Sequence, residues 1–98
     1  MIYHVTTFVW TAEACADDAH QLAIELIAHA RSFATLRTYD AGLNLELRPD
    51  SSDFGLVACA DSVEDLQTYL QDPGHLAIIR RWGPRLVASK SSVQFESL

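Results

Sequence analysis

A chain of 98 residues is long enough for one packed domain, here spanning residues 1–98, and too short for two. With 49% hydrophobic and 20% charged residues it is too apolar to stay disordered, and its formal charge of −6 sets it against nucleic acid and anionic membrane surfaces, which would repel it. Cys15 and Cys59 stand far apart without CxxC or metal-like spacing, which fits a reducing, cytoplasmic setting with both as small packing residues.

Residues 2–10, IYHVTTFVW, are rich in β-branched and aromatic types, and both alternating sets carry bulk. One set is Ile2, His4, Thr6, Phe8 and Trp10, the other Tyr3, Val5, Thr7 and Val9. This predicts a strand covered on both faces, unlike the apolar block of a signal peptide. From Ala14 to Phe33 the period becomes helical, with Ala19, Leu22, Ala23, Leu26, Ile27, Ala30 and Phe33 on one face and Asp17, Gln21, Glu25 and Ser32 opposite. Asp17 and Asp18 suit the first turn, where carboxylates meet the positive end of the helix dipole. Glu25 and His29 interrupt the apolar run, so no bilayer-spanning helix is predicted.

A second strand is predicted over Leu36–Leu45 around Gly42, followed by the turn-forming Arg48-Pro49-Asp50-Ser51-Ser52-Asp53. A third strand, Phe54–Ala60, returns beside it as a hairpin. Ser62-Val63-Glu64-Asp65 is a variant of the capping box and opens a helix with Leu66, Tyr69 and Leu70 inward. Asp72-Pro73 interrupts that helix and offers a fresh cap with proline at the first helical position. A second helical segment then runs through His75, Leu76, Ile79 and Trp82 until Pro84 limits it. Arg80, Arg81, Arg85 and Lys90 gather positive charge and read as a solvated helix flank. Val93–Glu96 supplies a short last strand.

The resulting β-α-β-β-α-β order predicts an α+β, ferredoxin-like fold, a four-stranded antiparallel sheet with the helices on one face. The remaining face is too apolar to be left in water, and a second copy of the sheet is its simplest cover. Two such sheets packed face to face give a homodimeric α/β barrel about a two-fold axis.

Nearly the whole chain resembles the stress-responsive dimeric α/β-barrel family, which includes plant-type polyketide cyclases such as olivetolic acid cyclase. The resemblance rests on Ile2-Tyr3-His4-Val5, on Gly42-Leu43-Asn44, and on Asp61-Ser62-Val63-Glu64-Asp65-Leu66 with Tyr69-Leu70. Its most telling piece is Asp72-Pro73-Gly74-His75, similar to the family's H/D-P-A/G-H helix junction.

Proline at the first helical position places His75 in the first turn, where free amides and the helix dipole favour a neutral ring near neutral pH. Tyr69 can approach it across the junction, and His4 can point into the same space from the first strand. His20 and His29 flank the helical stripe and read as partly exposed boundary residues. The resemblance implies that His75 is a general base, Tyr69 its hydrogen-bonding partner and His4 a pocket residue, with proton abstraction beside a carbonyl followed by aldol- or Claisen-type ring closure. Thr6, Phe8, Leu22, Leu26, Phe54, Leu56 and Trp82 are expected around a small hydrophobic substrate, with Trp10 and Tyr39 as further aromatic lining. The cyclases use a tyrosine on the first helix and a histidine on the third strand where this chain has Leu26 and Phe54, which makes the expected pocket greasier. No cofactor or metal is implied, and no GxSxG elbow, phosphate loop, dinucleotide fingerprint or HExxH helix occurs. Two alternatives stand beside the cyclase-like reading: a non-catalytic stress-responsive or ligand-binding dimer, and a cofactor-free monooxygenase using Trp10 or Trp82.

Overall fold

A computed structural model describes residues 1–98. The elements run β1 (Ile2–Trp10), α1 (Ala16–Ala30), β2 (Leu36–Leu43), β3 (Phe54–Ala60), α2 (Val63–Leu70), α3 (Pro73–Leu86) and β4 (Val87–Glu96). The strands form one sheet in the order β2-β3-β1-β4, every neighbouring pair antiparallel. The second helical passage of the expected β-α-β-β-α-β order is split into α2 and α3.

The period-2 pattern sorts the sheet into two faces. Ile2, Thr6 and Phe8 of β1 and Phe54, Leu56, Ala58 and Ala60 of β3 are buried on the helix side. Against them α1 lays Ala19, Leu22, Ala23, Leu26 and Ala30, the stripe its spacing predicts. Phe8, Leu22, Leu26, Phe54, Leu56, Trp82 and Leu86 form the main core with Ala23. Each such large side chain contributes about 1.5–3 kcal/mol when fully removed from water.

Two polar caps set the positions of the later helices. Ser62 Oγ accepts from the Asp65 amide at 3.1 Å and starts α2. Asp72 Oδ2 accepts from the His75 amide at 3.0 Å and starts α3, with Pro73 in its first position. Both cap roles follow the sequence pattern.

Four elements have boundaries that differ from the sequence expectation. Pro84 lies inside α3, which continues to Leu86, because the fully buried Leu86 pulls the last turn onto the core. There a proline removes a single donor near the end of the helix. β4 starts at Val87 and not at Val93. Its Ser- and Lys-rich first half has no alternation of bulk, and a main-chain ladder from Trp10 to Thr6 of β1 holds it instead. α1 is shorter than Ala14–Phe33 at both ends. β2 stops at Leu43, after which Leu45 and Leu47 stand 80% and 81% exposed in the connection to β3.

The basic flank is tied as well as solvated: Arg85 pairs with Asp18 at 2.8 Å and Arg81 with Glu25 at 3.3 Å, both between α3 and α1. On the sheet face away from the helices stand Tyr3, Val5 and Val9 of β1, Val57 of β3, and Val93 and Phe95 of β4, placed by their register. Tyr3 and Phe95 stack with centroids 5.4 Å apart. No element of the chain covers this face, and Val9, Val93 and Phe95 are 43%, 53% and 47% exposed. No helix is long and apolar enough to cross a membrane.

Candidate active site

Between the sheet and the α2–α3 pair lies a cavity of about 490 Å³, within the range of small-molecule sites. Seven expected positions on β1, α1, β3, α2 and α3, namely His4, Thr6, Phe8, Leu22, Leu56, Tyr69 and His75, line its wall. Tyr39 of β2 lines it too. Leu26, Phe54 and Trp82, expected beside a substrate, lie in the same core as Phe8, Leu22 and Leu56 but do not reach the wall. Phe54 stacks on Phe8 with centroids 5.5 Å apart, and Trp82 is turned toward α1, where its Nε1 donates to Glu25 Oε1 at 3.2 Å. Trp10 likewise packs against the core beside Phe54.

α2 and α3 bring Tyr69 and His75 together across the Asp72-Pro73 junction, with ring centroids 4.5 Å apart. Tyr69 is fully buried, with Phe33 and Tyr39 edge-on at 5.2 Å and 5.7 Å. Its hydroxyl, the hydroxyl of Tyr39 and His75 Nδ1 are all buried without a well-formed hydrogen bond, and the two phenols lie close enough to act on each other's ionisation. Tyr69 and His75 therefore do not satisfy one another. Burial above all, helped by the positive charges of His29 and His4, lowers the His75 imidazole to about 4, so the ring is neutral at neutral pH. Burial pushes the phenols of Tyr69 and Tyr39 up, which keeps both hydroxyls protonated.

His4 is occupied on both sides. The amide nitrogen of Gln94 donates to His4 Nδ1 at 2.8 Å, which leaves Nε2 as the protonated nitrogen donating to Thr6 Oγ1 at 3.0 Å. Thr6 thus accepts from His4 and keeps its own hydroxyl proton to donate on the cavity wall. Burial, then the charge of Lys90, lowers the His4 imidazole as well. Lys90 is the one permanently charged side chain on the wall, which carries no carboxylate.

Four participants escape the sequence reading. Lys90 and Ser92 reach the wall from the part of β4 that the pattern did not reveal, and Gln94 comes from the same strand. Pairing β4 with β1 over its whole length would have placed all three on the His4 side. His29, set aside as a boundary residue, bonds Asp72 Oδ2 through Nε2 at 2.7 Å. The partner lies 43 positions away, so only the topology brings them together. The His75 amide first, and His29 next among the groups that stabilise the charge, hold the Asp72 carboxylate below its usual range.

A β2-β3-β1-β4 sheet with every helix on one side, and a pocket beneath those helices, is the ferredoxin-like class of α+β protein. Within that class the chain belongs to the stress responsive A/B barrel domain family, which matches residues 2–97. No curated protein matches it. Among solved structures, a dimeric ferredoxin-like protein of unknown function from Thermobifida fusca is 27% identical, with a TM-score of 0.89 over 98% of this chain and 90% of that chain. An antibiotic biosynthesis monooxygenase is 14% identical, with a TM-score of 0.82 over 100% and 99% of the two chains. The hydroxynitrile lyase of Passiflora edulis is 12% identical, with a TM-score of 0.81 over 99% and 95%. The last two likenesses are likenesses of fold, and one fold hosts many chemistries.

Proposed function

We propose that the chain is a single-domain, cytoplasmic, homodimeric acid/base catalyst that needs no cofactor and acts on a small hydrophobic carbonyl compound, in the manner of a polyketide cyclase. The observation that carries this reading is the pairing of two buried, partnerless polar groups, the Tyr69 hydroxyl and His75 Nδ1, on residues that line an apolar cavity. A buried polar atom without a partner costs about 1–3 kcal/mol, a cost that a ligand carbonyl would remove at the Tyr69 hydroxyl and a ligand hydroxyl at the unprotonated His75 nitrogen. In this reading Tyr69 donates to the substrate carbonyl oxygen, His75 takes the proton from the neighbouring carbon, and His4 orients Thr6 as a second donor. Phe8, Leu22 and Leu56 hold the apolar body of the substrate. Burial makes His75 a weak base while the site is empty. An enolate oxygen developing beside it stabilises the imidazolium, so the base strengthens as the reaction proceeds. A wall with one ammonium and no carboxylate favours that anion further.

The homodimer would form through the uncovered sheet face, as its apolar side chains suggest and as the Thermobifida fusca relative, described as dimeric, supports. The test is cyclisation of a short linear β-triketone, followed by liquid chromatography and mass spectrometry. His75→Ala should lose about 10²- to 10⁴-fold of the rate, the usual contribution of a positioned acid/base group, while remaining dimeric. Equal rates in parent and variant would remove His75 from the mechanism and leave a ligand-binding dimer as the better description.

A further inference from the structure

The contact between α1 and the α2–α3 junction is more specific than packing requires. His29 Nε2 lies 2.7 Å from Asp72 Oδ2, the same oxygen that accepts the His75 amide at 3.0 Å. Both side chains of the pair are about three-quarters buried, with exposures of 24% and 25%. The His29 ring meets Phe33 edge-on at 5.3 Å and lies 6.4 Å from the Tyr69 ring. Residue 74 is glycine at the point where the imidazole crosses the start of α3. A Cβ there would stand 2.5 Å from His29 Cε1 and 2.9 Å from Asp72 Oδ2. Only a residue without a side chain lets the imidazole reach the capping carboxylate.

We infer that His29 is a positioning residue of the site: by gripping the Asp72 carboxylate across Gly74, it locks the junction on which Tyr69 and His75 stand and keeps a second imidazole beside the first. The role assigned to His75 rests on the function proposed above, whereas the grip itself is a property of the fold. Its chemical effect is on the protonation of His75. Five ionisable groups act on or touch that ring, His4 on β1, His29 on α1, Tyr69 on α2, Asp72 at the junction and Lys90 on β4, and Tyr39 on β2 shares the cavity wall. The positive charges of His29, His4 and Lys90 oppose a proton on His75, whereas Asp72 favours one. His29 therefore opposes that proton through its own charge, and its grip on Asp72 fixes where that charge stands.

The experiment is an NMR titration of histidine-labelled full-length protein, with the His75 resonance assigned through His75→Ala. His29→Gln keeps an N–H within reach of Asp72 while removing the charge, and Gly74→Ala drives the imidazole off the carboxylate. In both variants the His75 midpoint should rise by about half a pH unit or more. A purely structural His29 would lower thermal stability on replacement and leave the midpoint of His29→Gln in place. That result overturns the inference, and if His29→Gln does not fold, Gly74→Ala decides by the same criterion. The titration does not depend on turnover. Retained cyclisation by His75→Ala would defeat the catalytic reading and leave this inference standing, whereas an unmoved midpoint would defeat this inference alone.

Discussion

His75 shows how one side chain takes its chemistry from where the backbone puts it. A histidine in water would change charge near 6.5, and burial moves this one to about 4. If it is the base, the acid limb of kcat/KM should fall near pH 4 and activity should persist at pH 5.5, where an unperturbed histidine would already be mostly protonated. A limb centred near 6.5 would exclude this residue. The same displacement acts on stability. Between pH 6.5 and about 4 the unfolded chain takes up a proton at residue 75 that the folded chain resists, so stability is lost as pH falls through that window and this residue adds no slope above it. The urea midpoint of His75→Leu should accordingly vary less between pH 6.5 and 4.5 than that of the parent. Of the site itself, His75, Tyr69 and His4 were legible because each sits at a position with local meaning: the first turn after Asp72-Pro73, the helical stripe ending at Leu70, and the inward set of the first strand. His29 was not, because its meaning comes from a carboxylate on another element.

At the scale of the element, local signals worked where the chain interacts with its own neighbours. Ser62 and Asp72 each cap through an amide three residues ahead, a contact written in four consecutive letters. Ser62→Ala should destabilise the protein by about 0.5–2 kcal/mol in equilibrium urea unfolding, without changing the pH profile of the site. A cost outside that range would mean that the start of α2 is held by something other than its cap. The signals failed where tertiary structure supplies what the sequence omits. The stretch Val87–Ser92 has little intrinsic reason to be a strand, and its partner β1 imposes the conformation. Pro84 reads as a stop, and Leu86 beyond it is buried deeply enough to carry the helix one more turn. Trp82 shows the same logic on a single ring: its spacing placed it inward, but the Glu25 carboxylate decides which neighbour it faces.

For the whole molecule, the decisive pattern was bulk on both sides of the first strand. The Phe8 side is covered by the chain's own helices, and the Tyr3, Val5 and Val9 side is not. A dimer through that face predicts that Val93→Asp, at the side chain left 53% exposed, shifts the protein toward monomer in sedimentation velocity at micromolar concentration. A parent that sediments as a monomer throughout the micromolar range would refute the dimer. The pocket lies on the opposite side of the sheet, so the monomeric variant should retain the His75 titration near pH 4.

The borders of the sheet carry a further consequence. One margin is β4, with Ser89, Lys90, Ser91 and Ser92, and the other is β2, with Arg37, Thr38 and Asp40. A strand arriving sideways would meet hydroxyls and charges along both rims, which discourages endless lateral growth. Joining through the flat surface uses up that surface in both molecules at once, so such an assembly is complete at two and has no free end from which a fibre could extend.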